Sequence, residues 1–221
     1  MEYLGVLQLF TKYRYYYFAG IKNTILLSLF ALIIGSVLGF FLSLMRLSKN
    51  KLLKFISTIY IEAIRGTPII VQISMVYFGT YALFGLDIDK FLSALIAVAL
   101  NSAAYVAEII RSGIQSIDKG QTEASRSLGV SQKDTMRHII LPQAIKNILP
   151  ALGNEFVTLI KETSVASVIG TADLMYSSKI VTSKSMAPFT PLVVIAIIYF
   201  ILTFTISQFV GYFERRMAHD D

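Results

Sequence analysis

The chain has 221 residues, 55% hydrophobic and 15% charged, with a formal net charge of +6. Ordinary soluble domains carry about 25% charged residues. Here the apolar residues gather into long runs, which excludes a soluble globule and points to membrane spans of roughly 20 residues each. No cysteine occurs, which excludes disulfides, thiolate metal sites and a thiol nucleophile.

The N-terminus lacks a basic region followed by a short apolar core and a small-residue cleavage site, so no cleaved signal peptide is expected. No internal repeat or low-complexity linker divides the chain, and residues 1–221 read as a single domain. Residues 3–18 mix aromatic and basic side chains over too short a run to cross a bilayer. Tyr13, Tyr15, Tyr16 and Tyr17 suit the headgroup layer, which makes 1–18 an interfacial helix. A helix packed on the bundle fits the same residues.

The first span is expected over 24–45, with Gly35 and Gly39 spaced for close helix approach. The second starts near Leu52 and is interrupted at Arg65-Gly66-Thr67-Pro68. There Thr67 is expected to cap and Pro68 to occupy the first turn of a continuing helix. Glu62 and Arg65, three apart, read as a pair on one helix. Further spans are expected over 91–113, 148–168 and 190–213. The fold class is therefore an all-α integral membrane protein with five transmembrane helices.

Basic residues set the orientation. Arg46, Lys49, Lys51 and Lys54, then Lys119, Arg126, Lys133, Arg137 and Lys146, then Arg215 and Arg216 fall on one side. The 85–90 and 171–189 loops hold only Lys90, Lys179 and Lys184. By the positive-inside rule the first group is cytoplasmic. This puts the C-terminus inside and the N-terminus outside, although Lys12, Arg14 and Lys22 run against it. Because the basic residues follow the loops in this way, the net charge points to membrane orientation and not to nucleic acid.

The polar stretch 114–147 is then a cytoplasmic loop. A first short helix is expected over 122–129, capped by Thr122 and ended by a left-handed Gly129. A second begins at Ser131 and stops at Leu141-Pro142. Ala124 and Leu128 share one face, too small to anchor in lipid and too apolar to be left in water, which suits a groove on another protein. A solvated connector is the alternative.

Two polar stripes lie within the spans, where an ionisable group costs about 2.5–3.5 kcal/mol. Asn101, Tyr105, Glu108 and Ser112 form the first. Glu155, Thr158 and Glu162 form the second, with Asn154 and Lys161 beside it. A zwitterionic amino acid needs an acceptor for its ammonium and donors for its carboxylate, so Asn101, Tyr105, Glu155, Thr158, Lys161 and Glu162 are candidate substrate-binding residues. Interhelical bonding is the competing reading. Glu108 and Arg111, near the cytoplasmic end, read as a structural or gating pair. Phe40, Phe41, Met75 and Phe78 read as packing or lipid contacts. His138 and His219 have no second ligand at metal spacing, and no metal is expected.

Glu123-Ala124, Gly129 and Ile140-Leu141-Pro142 resemble the EAA loop of ABC importer permeases. Glu62, Arg65-Gly66-Thr67-Pro68, Gln72, Ala104-Tyr105, Glu108, Arg111, Lys119-Gly120-Gln121, Leu141-Pro142-Gln143-Ala144 and Lys161-Glu162-Thr163-Ser164 resemble the polar amino acid subfamily, over roughly 20–213. The resemblance implies that Glu123, Ala124, Leu128, Gly129, Leu141 and Pro142 couple to an ATP-binding subunit. It implies two such subunits carrying ATP and Mg, a second permease chain (identical or sibling), an extracytoplasmic amino-acid-binding protein and an amino acid substrate. A phosphate-binding loop needs Gly-Lys before Ser or Thr, and no Gly-Lys dipeptide occurs here. The chain is thus expected to be no enzyme by itself. An ion-driven secondary carrier and a membrane scaffold are the rival classes; the first leaves the docking loop unexplained and would usually show more spans.

Overall fold

The computed structural model describes residues 5–218, and His219 lies outside them. Nine α-helices run in chain order among the described residues, with one π turn and one 3-10 segment and no strand. They are α1 (Val6–Leu47), α2 (Lys51–Arg65), α3 (Ile69–Phe84), α4 (Lys90–Gln115), α5 (Lys119–Ser127), α6 (Gln132–Thr135), α7 (Leu141–Glu162), α8 (Leu174–Ser185) and α9 (Thr190–Ala218).

Helix α4 is the axis of the bundle. Of its most apolar stretch 61% is buried, against 11% for α9, which leaves α9 on the periphery facing outward. Small residues make the centre possible. A Cβ on Gly35 would lie 2.8 Å from Ser102 Cβ, and one on Gly39 would lie 2.8 Å from the Ala103 carbonyl. The pair therefore lets α1 pack against α4 at backbone distance. Leu27, Ala31, Ile73, Ala94, Ala97, Val98 and Leu159 close the main core around this seam.

Helices α1, α4 and α9 are each long and apolar enough to cross a membrane, and α2 with α3 makes a fourth if the bent pair is one span. The expected count of five is not reached by length and composition, because α7 carries Lys146, Glu155, Lys161 and Glu162. Helix α1 holds 42 residues, a length of roughly 60 Å. The aromatic segment 6–18 is its first part, deviating from helical geometry at Tyr13. Leu9 and Tyr17 are fully buried there against Leu174 and Val181 of α8. That helix occupies what the sequence leaves as the 171–189 loop.

The sequence places the next helix stop at Leu141-Pro142; the structure does not. The chain stays helical from Gln132 to Glu162 through the π turn Met136–Ile140. The Leu141 amide bonds the Met136 carbonyl, five residues back. The widened turn accommodates a proline that would otherwise break the ladder. Gln143 Nε2 donates to the Ile139 carbonyl at 2.7 Å, satisfying an acceptor beside the proline.

Candidate functional site: a polar hairpin and a clamped elbow

The polar hairpin between α4 and α7 is built from its caps. Asp118, not Thr122, caps α5: its carboxylate accepts from the Gly120 amide at 2.6 Å, so the helix starts three residues before the expected point. Leu128 ends α5, and Gly129 follows at φ 81. Ser131 caps α6 by accepting from the Asp134 amide at 3.1 Å and donating to Asp134 Oδ2 at 2.6 Å. Arg126 closes the turn by donating to the Val130 carbonyl at 2.7 Å.

Ser125 is the inward side of α5, 4% exposed, with its hydroxyl 2.8 Å from Thr135 Oγ1. With Ser125 pinned, its neighbours on α5 are presented outward. Glu123 and Ala124 are exposed, and Leu128 is 84% exposed. Leu141 is half-buried and Pro142 exposed at the far root. Asn147 ties the base, donating to Ser116 Oγ at 2.9 Å. An exposed leucine beside alanine on a capped helix is an apolar surface outside the core.

Members of the α4 stripe meet residues around the break between α2 and α3, which is bent by 104°. Asn101, 4% exposed, donates to Gln72 Oε1 at 3.0 Å. Tyr105 carries the Arg65 guanidinium over its ring at 5.5 Å. Glu108 accepts from Arg46 at 2.9 Å and also pairs with Arg111, which in turn donates to Gln115. Glu62 is not paired with Arg65: it meets Arg46 at 3.2 Å, because the bundle brings α1 alongside α2. Thr67 is no cap either. Pro68 is the N-cap of α3, and Thr67 Oγ1 donates back to the Ala63 carbonyl at 3.0 Å.

On α7, Glu155 points into the bundle, 8% exposed, and accepts from Ser102 at 3.2 Å. Thr158 donates to the Asn154 carbonyl of its own helix at 3.1 Å. Asn154 and Lys161 are exposed, and Thr158 and Glu162 are half-buried. Sequence reading missed Arg46 as a hub and Ser102 as the partner of Glu155. It met Gln72 only as part of a motif. A lone amide four residues after a proline N-cap, in an otherwise apolar helix, was the available signal. Among the described residues no cluster of three or more His, Cys, Asp or Glu side chains is placed to hold a metal ion.

This arrangement recurs in known proteins. Residues 15–219 match the family of binding-protein-dependent transport system inner membrane components. A putative glutamine transport system permease of Rickettsia bellii is 41% identical over 198 residues, 90% of this chain and 91% of that one. An arginine transport system permease of Bacillus subtilis is 40% identical over 202 residues, 91% and 92% of the two chains. The crystal structure of an amino acid ABC transporter with histidines superimposes with a TM-score of 0.91 at 48% identity, covering 93% of this chain and 96% of the other. An inward-facing methionine ABC transporter shares the fold, with a TM-score of 0.69 at 20% identity. The chain belongs to the binding-protein-dependent transport system inner membrane component family, the permeases of ABC importers.

Proposed function

We infer that this chain is the membrane-spanning subunit of an ATP-driven importer of polar amino acids. The observation that carries the reading is the outward face Glu123, Ala124 and Leu128, held rigid by the buried Ser125–Thr135 contact. Two ATP-binding subunits, holding ATP and Mg, dock on these hairpins; the chain contributes Gly129, Leu141 and Pro142 to the geometry of the contact. Nucleotide-driven closure of those subunits draws the hairpins together and reorients the pathway.

A second permease chain completes the pathway. The exposed Asn154 and Lys161 of α7 support this, since a helix within the bilayer cannot leave such groups against lipid cheaply. Substrate is held by Asn101, Tyr105, Glu155, Thr158, Lys161 and Glu162, with Glu155 and Glu162 as acceptors for an ammonium and Lys161 as donor to a carboxylate. The relatives named for glutamine and arginine, and the neighbour solved with histidines, support that substrate class. The excess of carboxylates leans toward a basic amino acid. An extracytoplasmic binding protein delivers it on the side opposite the hairpin, which is cytoplasmic, with the N-terminus outside.

The test is reconstitution in proteoliposomes with the cognate ATP-binding subunit. Uptake of arginine, histidine or glutamine is expected to require ATP and to ignore ionophores. Uptake that collapses with the proton gradient at constant ATP overturns the reading. Replacing Glu155 by Gln is expected to weaken substrate-stimulated hydrolysis while the complex still assembles, and unchanged stimulation removes Glu155 from the pocket.

A further inference from the structure

The break between α2 and α3 leaves carbonyls without helical donors, as every helix end does. Two side chains serve them: Thr67 Oγ1 donates to the Ala63 and Ile64 carbonyls at 3.0 and 3.4 Å, and Gln72 is the second. Gln72 Nε2 lies 2.7 Å from the Ile64 carbonyl, 3.0 Å from the Thr67 carbonyl and 2.9 Å from Thr67 Oγ1. An amide nitrogen has two hydrogens, so three acceptors share two donors. On its other end Gln72 accepts from Asn101 at 3.0 Å, while the Asn101 carbonyl oxygen is buried without a partner among the described residues. The network is under-donated, and such partly satisfied buried amides are costly.

The two halves of the elbow are attached to α4 differently. Helix α2 is fastened by polar ties: Tyr60 donates to the Leu100 carbonyl at 2.8 Å, and Arg65 sits over Tyr105. Helix α3 lies on the core through Ile69, Ile73, Val76 and Tyr77, all largely apolar contacts. Its polar tie to α4 runs through Gln72–Asn101. Its other flank, from Ile70 and Ser74 to Phe78 and Leu83, is largely apolar and lies outside the core.

We propose that Gln72 is a positioning residue for transport: with Asn101 it latches the α2–α3 elbow at its resting bend, and releasing this latch is part of the step that couples ATP hydrolysis to substrate. The role rests on the importer reading above, and Gln72 itself is outside the substrate-binding set. A latch of this kind shifts populations by differential interaction with two conformations. Its loss therefore raises the share of molecules in the hydrolysing state before substrate arrives.

The chain has no cysteine, so Lys54→Cys and Tyr81→Cys introduce one spin label on each arm of the elbow. Interspin distances are measured by double electron–electron resonance in the reconstituted complex, without nucleotide and with ATP trapped. The expected result is two different distance distributions. Gln72→Ala is expected to broaden the nucleotide-free distribution and to raise substrate-free ATP hydrolysis roughly two- to tenfold, the range that one broken neutral hydrogen bond spans. Arginine affinity, read by calorimetry, is expected to hold.

The reciprocal exchange, Gln72→Asn with Asn101→Gln, restores an amide pair and is expected to narrow the distribution again; because Asn101 is in the substrate-binding set, the distance distribution and not hydrolysis is the readout for this pair. A merely structural role would lower abundance without this rescue. If Gln72→Ala does not insert, Gln72→Asn alone, one methylene short, carries the same expectation at smaller size. Identical elbow distances in both nucleotide states overturn the latch, as does unaltered substrate-free hydrolysis in a well-assembled Gln72 variant. Loss of arginine affinity with the elbow unmoved overturns it too and places Gln72 in the pocket. If the parent complex shows no ATP-dependent uptake, the importer reading falls, while the distances in the permease still decide the latch.

Discussion

Ser125 and Thr135 face each other across the polar hairpin with hydroxyls 2.8 Å apart, and both are almost fully buried, at 4% and 2% exposure. Thr135 also donates to the Ser131 carbonyl at 2.9 Å. The contact joins α5 to the helix that continues through the π turn into α7.

Removing the Thr135 hydroxyl strands Ser125 in a dry contact, at a cost of about 1–3 kcal/mol, whereas removing both is nearly neutral; Thr135 itself keeps the Ser131 carbonyl when Ser125 is lost. Thr135→Val is therefore expected to reduce substrate-stimulated ATP hydrolysis more than the double variant Ser125→Ala with Thr135→Val. Co-purification of the ATP-binding subunit, measured on the same preparations, is expected to follow the same order. A double variant worse than the single one would show that the contact is not what carries the coupling.

Gly129 has φ 81, and a Cβ placed there would meet nothing within 4 Å. The cost of a side chain is thus backbone strain and not collision. Gly129→Val is expected to lose about 1–3 kcal/mol or redirect the chain, and Gly129→Asn, which tolerates the left-handed region, to lose much less. Both variants are expected in the membrane at normal abundance; the valine variant loses substrate-stimulated hydrolysis. Equal coupling in the two would reduce the hairpin to a connector.

The ion-pair hub is graded by burial. The Arg46 and Glu108 side chains are 16% and 21% exposed, whereas Glu62 is 61% exposed. Solvent screens the outer pair, so Glu62→Gln is expected to cost well under about 1 kcal/mol. Glu108→Gln removes the anion shared by Arg46 and Arg111 and is expected to cost more, about 3 kcal/mol if both cations stay in place. Thermal midpoints in detergent at low and high salt check this, with salt dependence expected for the Glu62 pair alone.

Asp173 supplies a pH dependence. It caps α8 outside the spans, accepting from the Tyr176 amide at 2.7 Å, yet it is fully buried and its second oxygen has no partner among the described residues. Burial pushes its pKa from 3.8 up to about 7, against the opposing pull of the backbone amides and Lys179. The folded state therefore holds a proton that the unfolded chain releases. Its stabilising effect is complete below about pH 4 and is lost as pH rises to about 7. Asp173→Asn keeps a cap and is expected to flatten the fall in thermal midpoint between pH 4 and 7 and to be the more stable form at pH 8. A parent protein with no such fall refutes the assignment.

Composition, run length and cap chemistry were enough to read the class, the placement of α1, α4 and α9, and the hairpin with Ser131 and Gly129 at its turn. These are local properties: hydrophobic runs, a side-chain oxygen at a helix start, a glycine after a helix end. The same residues could not say what each polar group meets. Helical period puts Asn101, Tyr105 and Glu108 on one face of α4, but only the packed bundle brings Gln72, Arg65 and Arg46 to that face. It likewise gives Glu62 to Arg46 instead of its neighbour Arg65, because α1 and α2 lie side by side. Pro142 reads as a stop from sequence. The structure carries the helix past it, since a π turn supplies the space that the proline ring needs. Whether a proline breaks a helix, and which partner a buried amide finds, is decided by the surrounding fold.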